Sequence, residues 1–480
     1  MQISTSPREQ YPALVREVSI EPLAERPGSV AITGRIAALE VVLDPGAFWV
    51  ARAFDGTRTC AQVAEMLARD GLHLGSEEFV LGIAEHLAEV EIVEFFEQPQ
   101  LSTLPAAWLK DVSVHAPLTH RCLGCGRSCQ GHWVGPLDRA FIERAPEVHR
   151  QMQAMFPDLA DIDDPLERIE LGSRPVTALV ARGPDRSCIY LGEDLKCRIH
   201  ARLGPEAKPL LCRMFPYTVV LTESGLRIGV SPRCYTYQKT WKGDGGEIDE
   251  VTGVSRQELP APLLRVVLDE PTRVMLDDLN TPLFAFLQQE RELLALLDAP
   301  ETTLARLLAW TTSQLRGREL EDFDVALFAS ALPAHLRRLG RAMLEDERAA
   351  SPSPSPDSHG DRLRRFSAWL KELGPRSEVT LKPDDQAYGF HVLAEFVWIR
   401  DWGDMSTWGV GILVVAVGLI VAGWYAAERE DDEDAFGMAL NVWMRGMGMF
   451  INVTRLFASG EEVGRLLDLA TSGSGSAQPD

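Results

Sequence analysis

The sequence predicts an α+β protein that is mainly helical, with a winged-helix-like N-terminal unit, a loop-rich metal domain held by cysteines and a helical C-terminal region. Three observations predict this class. They are a strand–helix–helix–strand pattern within residues 31–98, seven cysteines between residues 122 and 234, and apolar residues at helical spacing from about residue 255 onward. At 480 residues the chain is too long for one hydrophobic core, so several domains are expected.

The N-terminal unit, residues 31–98, is predicted from turn and capping signals. Asp44-Pro45-Gly46 is a turn sequence, and Thr59 with Gln62 fits a capping box that opens a helix. The predicted elements are a strand at 39–43, a helix from 59 to about 70, a helix beginning at 76 and a strand at 92–96. This order is typical of a winged helix, but four basic residues against twelve acidic ones argue against the DNA-binding kind.

One segment of this unit carries a resemblance to a known family. The run Phe54-Asp55-Gly56-Thr57-Arg58-Thr59, with the helix that follows it and the last helix running into Ile92-Val93, resembles the peptide-recognition domain of pyrroloquinoline-quinone-type peptide maturation systems. The resemblance implies a protein or peptide substrate bound along a strand edge. The alternative is a structural helical cap on the next domain.

The charge of the chain is strongly acidic and unevenly spread. A formal net charge of −22 argues against general nucleic-acid binding, because phosphate backbones attract basic surfaces. Residues 174–240 are the locally basic stretch, with eleven Lys and Arg against five Asp and Glu. This stretch contains four of the cysteines.

The cysteines are predicted to be metal ligands rather than disulfides. Residues 1–15 contain no apolar run, so no signal peptide is expected and the predicted location is cytoplasmic. Disulfides rarely persist in a reducing compartment, where clustered cysteines are more often ligands. Seven cysteines are predicted to converge on the site, whereas Cys60 stays apart: Cys122, Cys125, Cys129, Cys188, Cys197, Cys212 and Cys234.

The spacing of these cysteines suits a metal centre. A CxxC pair lets two thiolates of one loop reach a single ion, and Gly124 and Gly126 allow the tight backbone that such a loop needs. Arginines adjoin several of the cysteines, and their charge favours the thiolate form. All-thiolate ligation suits both zinc and iron–sulfur clusters, and a 4Fe–4S cluster is favoured here. His200 is a weaker ligand candidate, and His120 and His132 are weaker still.

The cysteine pattern resembles the zinc- or iron-chelating cysteine-cluster family that includes flagellin lysine N-methylases. The resemblance covers roughly the predicted domain 108–240 and departs from the family at Ser128, where many members carry a second cysteine. It implies metal binding and, in the methylase branch, methylation of protein lysines that depends on S-adenosylmethionine. The segments that carry it are Cys122-x-x-Cys125-Gly-x-x-Cys129, Cys188-Ile-Tyr-Leu, Cys197-Arg-Ile-His200, Lys208-Pro-Leu-Leu-Cys212-Arg-Met-Phe-Pro216 and Cys234.

Two functions follow from these patterns. The first is an enzyme, a metal-cluster protein that modifies a partner protein or peptide, with lysine N-methylation as the favoured reaction. Tyr190, Arg213, Tyr217 and Tyr235 lie near predicted ligands and could polarise a lysine or a donor, although such residues more often support the ligands by packing. The second is a non-catalytic metal-binding module with a structural or sensing role. The sequence identifies no catalytic residue.

The rest of the chain is predicted to be helical, with a helical region at 255–350, a Pro- and Ser-rich linker at 351–360 and a second helical region at 361–470. Trp408–Ala427 has no charged residue and aromatic residues at both ends, which suits a membrane span. Positive residues favour neither side of it, and a fully buried core helix has the same composition. Burial within the C-terminal region is the prediction, and a membrane-anchored protein is the alternative.

Overall fold

The computed structural model describes most of the chain in separate ranges, and every structural statement below concerns those residues. They are 6–15, 17–23, 29–36, 39–69, 76–100, 112–115, 123–131, 133–171, 174–183, 186–222, 225–243, 263–264, 272–274, 279–281, 283–317, 320, 322–350, 358–399, 408–446, 456 and 460–471. The protein is α+β and mainly helical with small sheets, as the sequence predicts. It divides into two compact units, unit 1 with residues 1–230 and 244–268, and unit 2 with residues 231–243 and 269–480.

Unit 1 contains both the N-terminal elements and most of the cysteines. Its helices are α1 Pro45–Arg52, α2 Cys60–Arg69, α3 Glu77–Glu89, α4 Arg139–Met155, α5 Arg198–Leu203 and α6 Leu210–Met214. Its strands are β1 Tyr11–Leu14, β2 Ser19–Pro22, β3 Val30–Thr33, β4 Glu40–Leu43, β5 Val93–Phe96, β6 Val112–Val114, β7 Leu166–Leu171, β8 Arg174–Leu179, β9 Ala181–Arg182, β10 Ser187–Cys188, β11 Tyr217–Thr222, β12 Gly225–Val230 and β13 Leu263–Leu264.

The N-terminal elements confirm the capping signal at Thr59, whereas the turn predicted at Asp44-Pro45-Gly46 is wrong, because Asp44 caps helix α1, which begins at Pro45. The backbone N–H of Thr59 donates to Gln62 Oε1 at 3.0 Å and the Gln62 N–H donates to Thr59 Oγ1 at 3.3 Å, so the capping box forms and α2 begins where predicted. The closing strand β5 pairs antiparallel with β1, which precedes the predicted unit. Strands β2, β3 and β4 form an antiparallel sheet in that order.

The middle of unit 1 is built on helix α4. Asp138 caps this helix by accepting a hydrogen bond from the Phe141 N–H at 2.9 Å. The apolar face of α4 packs into a buried cluster with residues from the later cysteine segments. The members of this core cluster are Leu137, Phe141, Ala145, Val148, Met152, Leu159, Leu179, Ile189, Tyr190 and Ile199.

A four-stranded sheet in the order β13-β11-β12-β6 completes unit 1. Residues 263 and 264 form strand β13, which pairs in parallel with Val220 and Leu221. The helical region predicted from residue 255 therefore begins later than expected, because an apolar pair alone does not distinguish a short strand from a helical turn.

Unit 2 is a helical assembly with two short strands. Its strands are β14 Thr272–Val274 and β15 Leu279–Thr281, and its helices are α7 Tyr237–Thr240, α8 Leu283–Asp298, α9 Leu304–Arg316, α10 Val325–Ala350, α11 His359–Lys371, α12 Pro383–Trp398, α13 Trp408–Ala427, α14 Ala435–Gly446 and α15 Gly460–Thr471. Residues 351–357 of the predicted linker lie outside the described residues. Ser358 caps α11, so the last linker positions belong to a helix start.

Helix α13 is the long apolar helix that the sequence singled out. By length and composition it could cross a membrane, with a mean hydropathy of 2.3, and 89% of this apolar stretch is buried inside the structure. It packs against α9, α12 and α14. Trp443 of α14 donates its indole N–H to the Val414 carbonyl at 3.0 Å. The indole ring packs against Gly418, where an added Cβ would collide with it. The predicted burial of this helix is confirmed within unit 2.

We expect the protein to be released from membranes by a carbonate wash, because the apolar surface of α13 is already covered by unit 2. Fractionation of cells that express the full chain measures this directly. Retention in the carbonate-washed pellet would show that lipid, rather than the neighbouring helices, is the environment of α13.

Candidate metal centre

Four of the predicted ligands come together in unit 1. Besides burial, Cys129, Cys188 and Cys197 raise the pKa of the Cys212 thiol, and Cys129 and Cys197 raise the pKa of the Cys188 thiol. These electrostatic interactions place the four sulfur atoms in one neighbourhood, although they come from three segments of the chain. None of the four forms a disulfide.

The first segment is the glycine-rich loop 123–131, which carries Cys125 and Cys129. Gly124 and Gly126 have φ values of +66° and +68°, a region that favours glycine. A 3-10 turn over Arg127–Cys129 follows, closed by the Cys129 N–H donating to the Gly126 carbonyl at 2.9 Å. A Cβ added at Gly126 would lie 2.2 Å from the carbonyl oxygen of Leu195, so this loop packs directly on the second cysteine segment.

Gly126→Ala is expected to weaken metal binding and destabilise unit 1, because the new methyl group collides with backbone that cannot move independently. Gly124→Ala is the matched control. It has the same backbone conformation, but nothing lies within 4 Å of its added Cβ, so it carries only the conformational strain of about 1 kcal/mol. Urea unfolding and metal content of the two variants measure the difference. Equal losses in both would mean that the contact with Leu195 does not hold the loop.

The second segment is a tight turn that joins Cys188 to Cys197. The Leu191 N–H donates to the Cys188 carbonyl at 2.9 Å, and Leu191 forms an isolated antiparallel bridge with Cys197. The turn between them is closed by the Gly192 N–H, which donates to the Lys196 carbonyl at 2.9 Å. Cys197 then directly precedes α5. The two thiols are therefore held by a short, hydrogen-bonded backbone frame.

The third segment is helix α6, which carries Cys212. The Leu210 N–H at its start donates to Asp138 Oδ2 at 2.7 Å, and Asp138 is the same carboxylate that caps α4. Arg144 of α4 also donates to the Lys208 carbonyl at 3.0 Å. Both contacts fix the start of α6 on α4, and so they fix Cys212 relative to the core.

Tyr190 anchors the second segment in the same core. Its hydroxyl lies 2.9 Å from His149 Nδ1, while His149 Nε2 lies 2.7 Å from the Ile162 carbonyl oxygen. A carbonyl only accepts, so Nε2 carries the proton, and in the neutral imidazole Nδ1 accepts from the Tyr190 hydroxyl. Burial raises the pKa of Tyr190, and the nearby Cys188 raises it further. Tyr190 therefore acts as a neutral, packed support beside Cys188.

Burial governs the protonation of the grouped thiols. Loss of solvent raises the pKa of Cys188 to about 12, with Cys129 and Cys197 adding to the effect. Loss of solvent also raises the pKa of Cys212 well above its usual value, partly offset by the charge of Lys208. In the metal-free protein these two thiols are therefore protonated at neutral pH. A bound cation would replace their protons, which is how thiolate sites form.

The remaining predicted ligands are placed differently. Cys125 lies on the same loop as Cys129, half-buried between the two glycines. Cys234 belongs to unit 2, where it is buried, with its sulfur 3.4 Å from Thr236 Oγ1. Cys122, like His120 and His132, lies outside the described residues. Cys60 begins α2 and is fully buried, and burial together with Glu77 and Glu85 raises its pKa to about 12.

The side chains proposed from the sequence to polarise a substrate mostly have structural partners. Arg213 forms an ion pair with Glu206 at 3.0 Å. Tyr217 is buried at the start of β11. Tyr235 belongs to unit 2, and its hydroxyl lies 2.7 Å from His359 Nδ1. His200 is exposed on α5.

Three buried donor groups accompany the thiols. Arg127 Nε, Ser128 Oγ and Trp133 Nε1 are buried atoms without a hydrogen-bond partner among the residues that the structure describes. They lie within four positions of Cys129, and the Trp133 ring packs at 5.2 Å under the guanidinium of Arg186, two residues before Cys188. In the sequence, Arg127 is a charge that favours thiolates and Ser128 is a departure from the family resemblance, whereas no signal points to Trp133.

The donor set of grouped, half-buried cysteines has the chemistry of a soft metal centre. Within the described ranges, no group of three or more His, Cys, Asp or Glu side chains lies close enough to hold a metal ion. Comparisons with family models, with curated proteins and with solved structures find no match to this chain. Support for a metal therefore comes from the chemistry of the residues alone.

Proposed function

We propose that unit 1 is a metal-binding module that holds an iron–sulfur cluster or a zinc ion through Cys129, Cys188, Cys197 and Cys212. The observation that carries the proposal is the grouping of these four thiols, from three segments, in one electrostatic neighbourhood. Sets of thiolate ligands bind zinc ions and iron–sulfur clusters. Cys125, on the loop of Cys129, is a fifth candidate ligand.

The surrounding residues give the module a preorganised frame. The loop of Cys129 packs on Leu195 through Gly126, the turn of Cys188 and Cys197 is closed by its own backbone, and Asp138 fixes the helix of Cys212. When bound, the metal supplies a positive charge that replaces the thiol protons and ties the three segments together. The direct consequence is a metal-dependent fold for unit 1.

Purification of the full chain without oxygen tests the proposal. We expect stoichiometric metal, either iron with acid-labile sulfide and broad visible absorption, or zinc without colour. Chelation of the metal is expected to increase proteolysis within residues 123–222. A protein that contains neither metal, and that binds neither after reconstitution, would contradict the proposal.

Lysine N-methylation stays a prediction from the family resemblance. The first test is binding of S-adenosylmethionine to the purified, metal-loaded protein by equilibrium dialysis. Saturable binding would support an enzyme that modifies a partner protein, whereas its absence would favour the structural or sensing role.

Binding of a partner peptide to the N-terminal unit stays a prediction. The geometry of the sheet in this unit supports it. Strand β4 is an edge strand that pairs only with β3 among the described residues, and Val42 on it is 44% exposed. An open edge can accept a further strand. Because residues 31–98 are acidic, the peptide that fits best is basic, as a lysine-containing substrate would be.

A further inference from the structure

We infer that Arg127, Ser128 and Trp133 donate hydrogen bonds to the sulfur atoms of the metal centre and thereby strengthen its hold on the metal. The inference rests on the proposed metal site and assigns these residues a role in it. Each group is a donor, and each donor atom is buried without an acceptor among the described residues. A buried donor that lacks an acceptor destabilises the folded protein, so three of them in seven residues require an explanation.

The chemistry of the three groups points to an anionic acceptor. Arg127 is a cation, and the indole N–H of Trp133 can only donate. A neutral thiol is a weak acceptor, but a thiolate bound to a metal is anionic and accepts strongly. The metal-loaded centre therefore supplies the acceptors that these donors lack.

Their positions in the chain place them on or beside the segments that carry the thiols. Arg127 and Ser128 lie within the 3-10 turn that ends at Cys129. Trp133 precedes Val134, which bridges to Leu179, and its ring packs against Arg186 beside the strand of Cys188. The donors therefore flank the loop and the turn that carry three of the four grouped cysteines.

Two variants each remove a donor. Ser128→Ala loses only the hydroxyl and so preserves shape, whereas Trp133→Phe keeps an aromatic ring for Arg186 and loses the N–H together with part of the indole ring. In the metal-bound protein each loses a hydrogen bond to sulfur, so we expect the affinity for metal to fall about 10-fold or more. In the metal-free protein Ser128→Ala removes a buried hydroxyl that has no partner among the described residues, so we expect the midpoint of urea unfolding of this variant to rise.

The test uses Co²⁺ as the probe metal, added to the metal-free full chain at fixed pH in competition with a chelator. Sulfur-to-cobalt charge-transfer absorption reports thiolate binding, and Trp310→Phe in unit 2 is the matched control, expected to leave cobalt affinity unchanged. The supporting result is weaker cobalt binding in both variants together with a more stable metal-free protein for Ser128→Ala.

Three results would overturn the inference. Cobalt affinity equal to wild type in both variants would show that the donors do not reach the sulfur atoms, while the metal site itself would stand. A fall in both cobalt affinity and metal-free stability of Ser128→Ala would show that the donors support the fold instead. A wild-type protein without the charge-transfer band would remove the metal site and this inference with it.

Discussion

Replacing Cys212 with serine is expected to abolish metal binding and to make unit 1 sensitive to proteases. The serine hydroxyl does not ionise to an alkoxide ligand at neutral pH, so one of the four grouped sulfurs is lost without a substitute. Metal ligation contributes roughly 10 kcal/mol or more to the folding of small zinc domains, so its loss is a large effect. Metal analysis together with limited proteolysis of residues 123–222 measures both consequences.

Cys60→Ser is the matched control for this variant. Cys60 is fully buried in the same unit, so the substitution places a hydroxyl in an apolar site and costs about 1–3 kcal/mol. We expect it to lower stability while leaving the metal content unchanged. A second control is wild-type protein treated with a chelator, which should become as protease-sensitive as Cys212→Ser. Full metal content in Cys212→Ser would remove this thiol from the site.

Local signals in the sequence predicted local structure well. The capping box of Thr59 and Gln62 lies at the start of α2, and the glycines that flank Cys125 adopt the left-handed backbone that a ligand loop needs. The apolar run of Trp408–Ala427 is a buried helix, as predicted. Each of these features is encoded in residues close together along the chain, so residue type and spacing are sufficient to predict it.

Contacts between distant segments could not be predicted in the same way. Strand β1 pairs with β5 about eighty residues later, and no pattern in either segment specifies its partner. Spacing along a chain limits which residues can meet, whereas the packing of apolar faces decides which of them do.

The candidate site also has some features that the sequence predicts and others that it does not. The cysteines themselves were evident from the sequence, because seven of the eight fall between residues 122 and 234. The residues that hold them in place were not evident. The sequence around Asp138 predicts only an ordinary helix cap. Its second contact, with Leu210, could not be predicted because the two residues are seventy-two positions apart.

Asp138→Ala is expected to destabilise unit 1 by about 2–4 kcal/mol and to weaken metal binding. The carboxylate is 7% exposed, and its two oxygens accept one hydrogen bond at the start of α4 and one at the start of α6. Its removal uncaps α4, leaves a buried N–H of Leu210 without an acceptor and releases the helix that carries Cys212. Urea unfolding and metal titration of the variant measure the two effects.

Asp44→Ala is the control that distinguishes the two contacts of Asp138 from helix capping alone. Asp44 caps α1 in the same unit, with the Ala47 N–H donating to its Oδ1 at 2.8 Å, but it lies at the surface. We expect a loss of about 1 kcal/mol and an unchanged affinity for metal, because α1 carries no thiol. If both variants lose about 1 kcal/mol and keep their metal, the contact between Asp138 and Leu210 does not position Cys212. A larger loss confined to Asp138→Ala, with weaker metal binding, would establish this carboxylate as the link between the core helix and the thiol site.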